Sequence, residues 1–182
     1  MTQRRVVVTG LGAVSSCGNN VKDSWEAVKN GKSGITNITL FDATNHQVKI
    51  AGEVKNFNLD DYGVDHKLDR KTSRVTKFLL GASIEAVNDS GLSKEALSND
   101  ETGIITGVGI GLSAELETAY AKYLDPNSGV NRIPPLTAPL ILNNEAAANV
   151  AIYYGIHGSS LTLSTACASG TDAIGLGLDL IR

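Results

Sequence analysis

The sequence predicts an α/β domain over residues 1–182, with a mostly parallel sheet flanked by helices. Three observations carry this. Short β-branched runs at residues 5–9, 103–107 and 160–164 each lead into glycine or very small residues, the pattern of buried strands closed by tight turns. Longer stretches with apolar residues at helical spacing lie between them, and such alternation favours parallel pairing with helices covering both faces. The chain is 42% hydrophobic and 19% charged, and its 19 glycines against three phenylalanines and one tryptophan point to close backbone approaches more than to aromatic packing.

Arg5-Val6-Val7-Val8-Thr9-Gly10-Leu11-Gly12 reads as a buried strand running into a glycine turn, since so short a β-branched run closed by Gly makes a poor helix. Residues 21–30 read as a helix stopped by Gly31. Gly, Asn and Asp mixed with short apolar runs across 31–65 suit loops and short strands. Val75, Phe78, Leu79, Ala82 and Ala86 recur at helical spacing within 72–90, and Gly91 ends that helix. Residues 103–107 form the second core strand, Ser113 begins a helix, and 125–135, with Pro126, Gly129, Pro134 and Pro135, is irregular. One helix is expected over 139–154, because proline is tolerated in a first turn and Gly155 can terminate it. A third strand at 160–164 and a helix at 170–182 complete the order, with no internal repeat.

Several function classes fall away. A net charge of −3 gives no basis for a nucleic-acid partner. No apolar run reaches the roughly 18 residues of a membrane span, and the opening run is too brief for a signal peptide, so a cytoplasmic protein is expected. Cys17 and Cys167, far apart in such a chain, predict reduced thiols rather than a disulfide. There is no CxxC and no HExxH, and the three histidines stand alone, so no metal site is expected. Gly10-x-Gly12 follows a strand, yet Ser15 occupies the third glycine position of a dinucleotide fingerprint and no acidic ribose ligand follows. Tight backbone geometry is the preferred reading there.

The most informative stretch is Leu161-Thr162-Leu163-Ser164-Thr165-Ala166-Cys167-Ala168-Ser169-Gly170, a strand ending at a cysteine among very small neighbours at a helix start. This is the layout of a nucleophile elbow, in which a sharp turn displays the side chain. Free N–H groups and the positive helix end favour thiolate over thiol there, and the same N–H groups can stabilise a thioester oxyanion. On residues alone a small, buried, inert cysteine is the competing reading. Cys17, in Ser15-Ser16-Cys17-Gly18, lacks that setting and reads as structural.

Thr165-Ala166-Cys167-Ala168-Ser169-Gly170 resembles the active-site motif of elongating β-ketoacyl-acyl-carrier-protein synthases of the thiolase superfamily. The resemblance runs through the chain in register. It takes in Arg4-Arg5-Val6-Val7-Val8-Thr9-Gly10-Leu11-Gly12, Trp25, Gly31-x-Ser33-Gly34-Ile35, Phe41-Asp42, Asn88-Asp89-Ser90-Gly91-Leu92 and Gly107-x-Gly109-Ile110-Gly111. It implies the amino-terminal half of a thiolase-like fold at 1–182, without the carboxy-terminal half, and a homodimer. It also implies that Cys167 takes an acyl group from the phosphopantetheine of acyl carrier protein, for condensation with the carbanion of decarboxylating malonyl-carrier protein. No metal or resident cofactor is implied. Cys167 N–H is implied as an oxyanion donor, Ile110 and Ala166 as acyl-tunnel residues, and Thr137 as a residue reaching the partner subunit's tunnel.

Lys67, Arg70, Lys71, Arg74 and Lys77 fall at i, i+3, i+4, i+7 and i+10, one face of a continuous helix. A solvated face is one reading. The resemblance implies the other, in which Lys67, Arg70 and Lys71 dock an acidic carrier protein and steer its approach. Relatives usually carry Met-Asp where this chain has Thr72-Ser73, and a second glycine where it has Leu112. The family's two active-site histidines follow the cysteine in chain order. His46, His66 and His157 precede Cys167 and read as surface residues, so these 182 residues by themselves are expected not to complete condensation. A non-catalytic carrier-binding scaffold and a polyketide-type condensing enzyme are the alternatives.

Overall fold

The computed structural model describes residues 4–69, 71–127 and 132–182. Helix α1 (Val21–Lys29) leads to an antiparallel hairpin of β1 (Ile35–Asn37) and β2 (Ile50–Gly52), a 3-10 turn (Leu59–Tyr62) and the single turn α2 (His66–Asp69). Then follow α3 (Arg74–Ser90), α4 (Lys94–Leu97), β3 (Ile104–Gly107), α5 (Ser113–Leu124), α6 (Thr137–Leu140), α7 (Glu145–Tyr154) and β4 (Ser160–Leu163). A second 3-10 turn (Ala166–Ala168) opens into α8 (Ser169–Ile181). Strands β3 and β4 pair in parallel with Ile104 opposite Ser160 and Gly107 opposite Leu163, and both α7 and α8 pack on them.

The core gathers where α3 crosses α7 and the first 3-10 turn. Leu59, Val64, Leu80, Ile84, Val150 and Tyr154 are buried together, and Leu59 and Leu80 are fully enclosed, each contributing about 2 kcal/mol by burial. Helix α3 forms as its apolar spacing predicts. Its most buried residues are Thr76, Leu80, Gly81 and Ile84, while Val75, Phe78, Leu79, Ala82 and Ala86 are half-buried beside that row. On that side the backbone of Ala82 and Ala86 lies against Gly12 and Gly10 of the amino-terminal segment.

That segment corrects one expectation. Residues 4–14 carry no regular secondary structure, and Val7 and Val8 are 61% and 78% exposed, so the expected first strand is neither paired nor buried here. A strand exists only when a neighbour accepts its ladder, and no described strand lies alongside. What orders the segment instead is α3. Leu11 N–H donates to Asp89 Oδ2 (2.9 Å) and Ala13 N–H to Glu85 Oε2 (2.9 Å). The backbone comes so close that a methyl group on Gly12 would stand 1.8 Å from the Ala82 carbonyl oxygen. The glycines therefore serve close backbone approach, as composition suggested, but against a helix instead of in a strand-end turn.

A second correction falls at 139–154, where one expected helix is two. Residues 141–144 interrupt it as a turn, in which Glu145 N–H donates to the Leu142 carbonyl (2.9 Å), and Asn144 precedes α7 without a side-chain capping bond.

Candidate active site

Strand β4 delivers the chain to an abrupt bend. Val108 N–H donates to the Leu163 carbonyl (2.9 Å), the last rung of the β3–β4 ladder, and Ser164 Oγ reaches the Gly109 carbonyl (3.4 Å). Thr165 then passes to Ala166, whose φ of +53° puts a residue with a Cβ in the left-handed region, at a cost of about 1–2 kcal/mol. Cys167 is the middle residue of the 3-10 turn and precedes α8 by two positions, so the bend centres one residue before the cysteine. Its side chain is exposed, and its thiol is unpaired, as is that of Cys17. Cys167 N–H donates to no acceptor among the described residues.

Helix α8 grips the bend. Thr165 N–H donates to Ser169 Oγ (2.9 Å), Ser169 Oγ donates to the Ala166 carbonyl (2.7 Å), and Thr165 Oγ1 donates to Asp172 Oδ2. Strand β3 backs it: a methyl on Gly107 would lie 2.2 Å from the Ser169 carbonyl oxygen, so the first turn of α8 rests directly on β3 backbone. An exposed thiol, a strained elbow and an unoccupied N–H beside it suit nucleophilic attack on a carbonyl, with the N–H facing the developing oxyanion.

The other expected residues are distributed as follows. Ala166 is the bend itself, and a methyl on Gly109 would come within 3.4 Å of its carbonyl oxygen, which brings the β3–α5 link against the elbow. Ile110, on that link, is 88% exposed, so among the described residues no wall closes over it. Thr137 begins α6 and lines a cavity of about 200 Å³ with Ala114, Thr118, Ala119, Pro134 and Leu140, whose lining does not include Cys167.

The basic stripe is corrected as well. It does not share one helix face, because the chain breaks between α2 and α3 and restarts with Ser73 as N-cap, its Oγ accepting from Thr76 N–H (3.2 Å). Arg74, though exposed, is engaged, donating to the Val54 carbonyl (2.7 Å) and lying over Phe78, and Lys77 pairs with Asp69 (2.9 Å). Lys67 and Lys71 remain exposed, and Arg70 lies outside the described residues. His46, His66 and His157 are all exposed, and among the described residues no three His, Cys, Asp or Glu side chains converge as metal ligands.

One cluster escaped sequence reasoning. Glu145, 7% exposed at the start of α7, accepts Ser73 Oγ–H (2.9 Å) and Thr76 Oγ1–H on one carboxylate oxygen and Asn149 Nδ2–H (2.8 Å) on the other. Its signals were a single acid opening an apolar helix with Asn four residues on, and the Ser73 departure noted above.

Solved structures with the thiolase-like ketosynthase fold superpose on the chain, its strand-to-helix elbow included in the aligned length. The ishigamide ketosynthase/chain length factor matches all of it at 29% identity and TM-score 0.90, covering 45% of that chain. The AntDE:AntF complex, a type II PKS acyl-carrier protein with its ketosynthase bound to the hexaketide, matches at 26% identity and TM-score 0.78, covering 43%. The chain belongs to the β-ketoacyl synthase family: residues 3–182 match the family's "Beta-ketoacyl synthase, N-terminal domain". Among curated relatives, the 3-oxoacyl-[acyl-carrier-protein] synthase 2 of Staphylococcus aureus is 37% identical over 98% of this chain and 42% of its own length. The protein of the same description from Synechocystis sp. is 37% identical over 100% and 43%. The chain thus spans less than half the length of these relatives.

Proposed function

We propose that Cys167 is the acyl acceptor of a fatty-acid condensing enzyme, loaded from acyl carrier protein. The observation that carries this reading is the exposed thiol on the left-handed elbow, next to its own unoccupied N–H. The Cys167 sulfur, as thiolate, attacks the carbonyl carbon of the acyl-phosphopantetheine thioester. A new carbon–sulfur bond forms, the bond to pantetheine breaks, and the departing thiol carries off a proton equivalent to the one that Cys167 gave up. In the intermediate, Cys167 N–H donates to the oxyanion. The exchange requires no metal and no resident cofactor. In the whole protein the acyl-enzyme then meets the carbanion of decarboxylating malonyl-carrier protein. The test is release of carrier-protein thiol on mixing with acyl-carrier protein. About one equivalent per chain is expected from the wild type and none from Cys167→Ala; equal release from both would leave a non-catalytic carrier-binding scaffold as the better reading. The likeness to polyketide ketosynthases supports a second reading, in which the same exchange loads a polyketide intermediate.

The reading includes a cytoplasmic homodimer with Thr137 and Ile110 bordering the acyl tunnel. Unpaired thiols support the reducing compartment, and no helix among the described residues is long and apolar enough to cross a membrane. The carrier protein docks on Lys67, Arg70 and Lys71, of which Lys67 stands exposed in α2 and Lys71 just after it. Complementary charge here steers encounter and is screened by salt. Lys67→Glu with Lys71→Glu is expected to weaken carrier-protein binding about tenfold at low ionic strength, and less near 0.5 M salt. Unchanged affinity at low salt, measured by titration calorimetry, would remove this surface from the proposal.

A further inference from the structure

The peptide unit between Ala166 and Cys167 is planar and trans, so its carbonyl and its N–H point in opposite directions. Whatever holds the Ala166 carbonyl therefore aims the Cys167 N–H. In this elbow the carbonyl is held by Ser169, which gives it both its backbone N–H and its hydroxyl, the latter at 2.7 Å. The same hydroxyl accepts Thr165 N–H at 2.9 Å, so one side chain, only 2% exposed, ties the backbone on both sides of left-handed Ala166. Asp172, one turn further along α8, takes the Thr165 hydroxyl. Ser169 itself cannot drift toward β3, because its backbone already rests on Gly107.

We propose that Ser169 is the positioning residue of the acyl-transfer site, with Asp172 as its support: together they keep the Ala166 carbonyl turned into the fold and the Cys167 N–H turned out toward the substrate oxyanion. This rests on Cys167 being the acyl acceptor. Neither residue touches the reacting atoms. Their effect is selective, because only a reaction that builds negative charge on oxygen beside Cys167 uses the N–H. Thioester attack does so; displacement of iodide from iodoacetamide by the same sulfur does not.

The experiment measures both reactions on wild type, Ser169→Ala, Ser169→Thr and Asp172→Ala. Ser169→Ala keeps the backbone bond to the Ala166 carbonyl, so α8 still starts there. Its acylation by acyl-carrier protein should fall on the order of tenfold, a partial loss of one oxyanion donor, while its alkylation stays within about twofold. Ser169→Thr retains the hydroxyl and should recover most of the acylation rate. Asp172→Ala, at an exposed position, should lose roughly threefold in acylation only. The proposal is overturned if Ser169→Ala acylates at the wild-type rate, or if both reactions fall by one common factor, as a merely structural role would produce. Wild type that alkylates but never acylates would instead sink the acyl-acceptor reading on which this one stands.

Discussion

Gly107→Ala should lower stability by about 3 kcal/mol and remove most acylation at Cys167. The added methyl would lie 2.2 Å from the Ser169 carbonyl oxygen, 2.3 Å from its carbon and 2.5 Å from Gly170 N. All three are backbone atoms of the first turn of α8, so no side chain can swing away. Relief requires that the helix retreat from β3, which undoes the Ser169 contacts that shape the elbow. Overpacking of this kind costs about 1–3 kcal/mol, and the backbone clash puts this case at the upper end. For a chain of this size that is a melting temperature lower by roughly 6–12 °C. A thermal scan showing a change below 2 °C, with normal acylation, would mean that α8 does not rest on Gly107.

Glu145→Ala should cost a similar amount, about 3 kcal/mol, for a different reason. The carboxylate sits where the amino-terminal ends of α3 and α7 meet, and both positive helix ends favour it. It accepts two hydroxyls and one amide, and hydrogen bonds to a charged group contribute about 1.5–3 kcal/mol each. Removing it leaves Ser73 and Thr76 with unmatched hydroxyl donors, eased in part because they also bond to each other (3.0 Å), while Asn149 Nδ2 keeps its bond to the residue 145 carbonyl (2.9 Å). Glu145→Gln preserves shape and one acceptor and should cost about 1 kcal/mol. Urea unfolding of the three proteins decides the matter; equal midpoints would show that the cluster does not hold α7 to α3.

Helices α1, α3, α5 and α8 and strands β3 and β4 were legible because their signals are local: apolar spacing, a glycine stop after α3, short β-branched runs. The bend at Cys167 was legible for the same reason, since small residues on both sides of it are what a sharp turn requires. The segment at 5–12 was not, because Val6-Val7-Val8 states a preference for extended backbone and says nothing of whether a neighbour accepts the ladder. The basic spacing from Lys67 to Lys77 presumed an unbroken helix, and Ser73, a preferred capping residue, was the sign that one helix ended and another began. Glu145 depended on tertiary contact across about seventy positions, from Ser73 to the head of α7, which no periodicity reports. In the sequence Ser169 is only part of a motif; its two hydrogen bonds, to Thr165 and to Ala166, depend on the left-handed turn at Ala166.

The most direct test of the central claim is the intact mass of the purified chain after incubation with an acyl-carrier-protein thioester, with Cys167→Ala alongside. The account predicts that the wild type gains the mass of one acyl group and that the variant gains none. A wild-type mass that stays unchanged while Cys167 still reacts with iodoacetamide would contradict it.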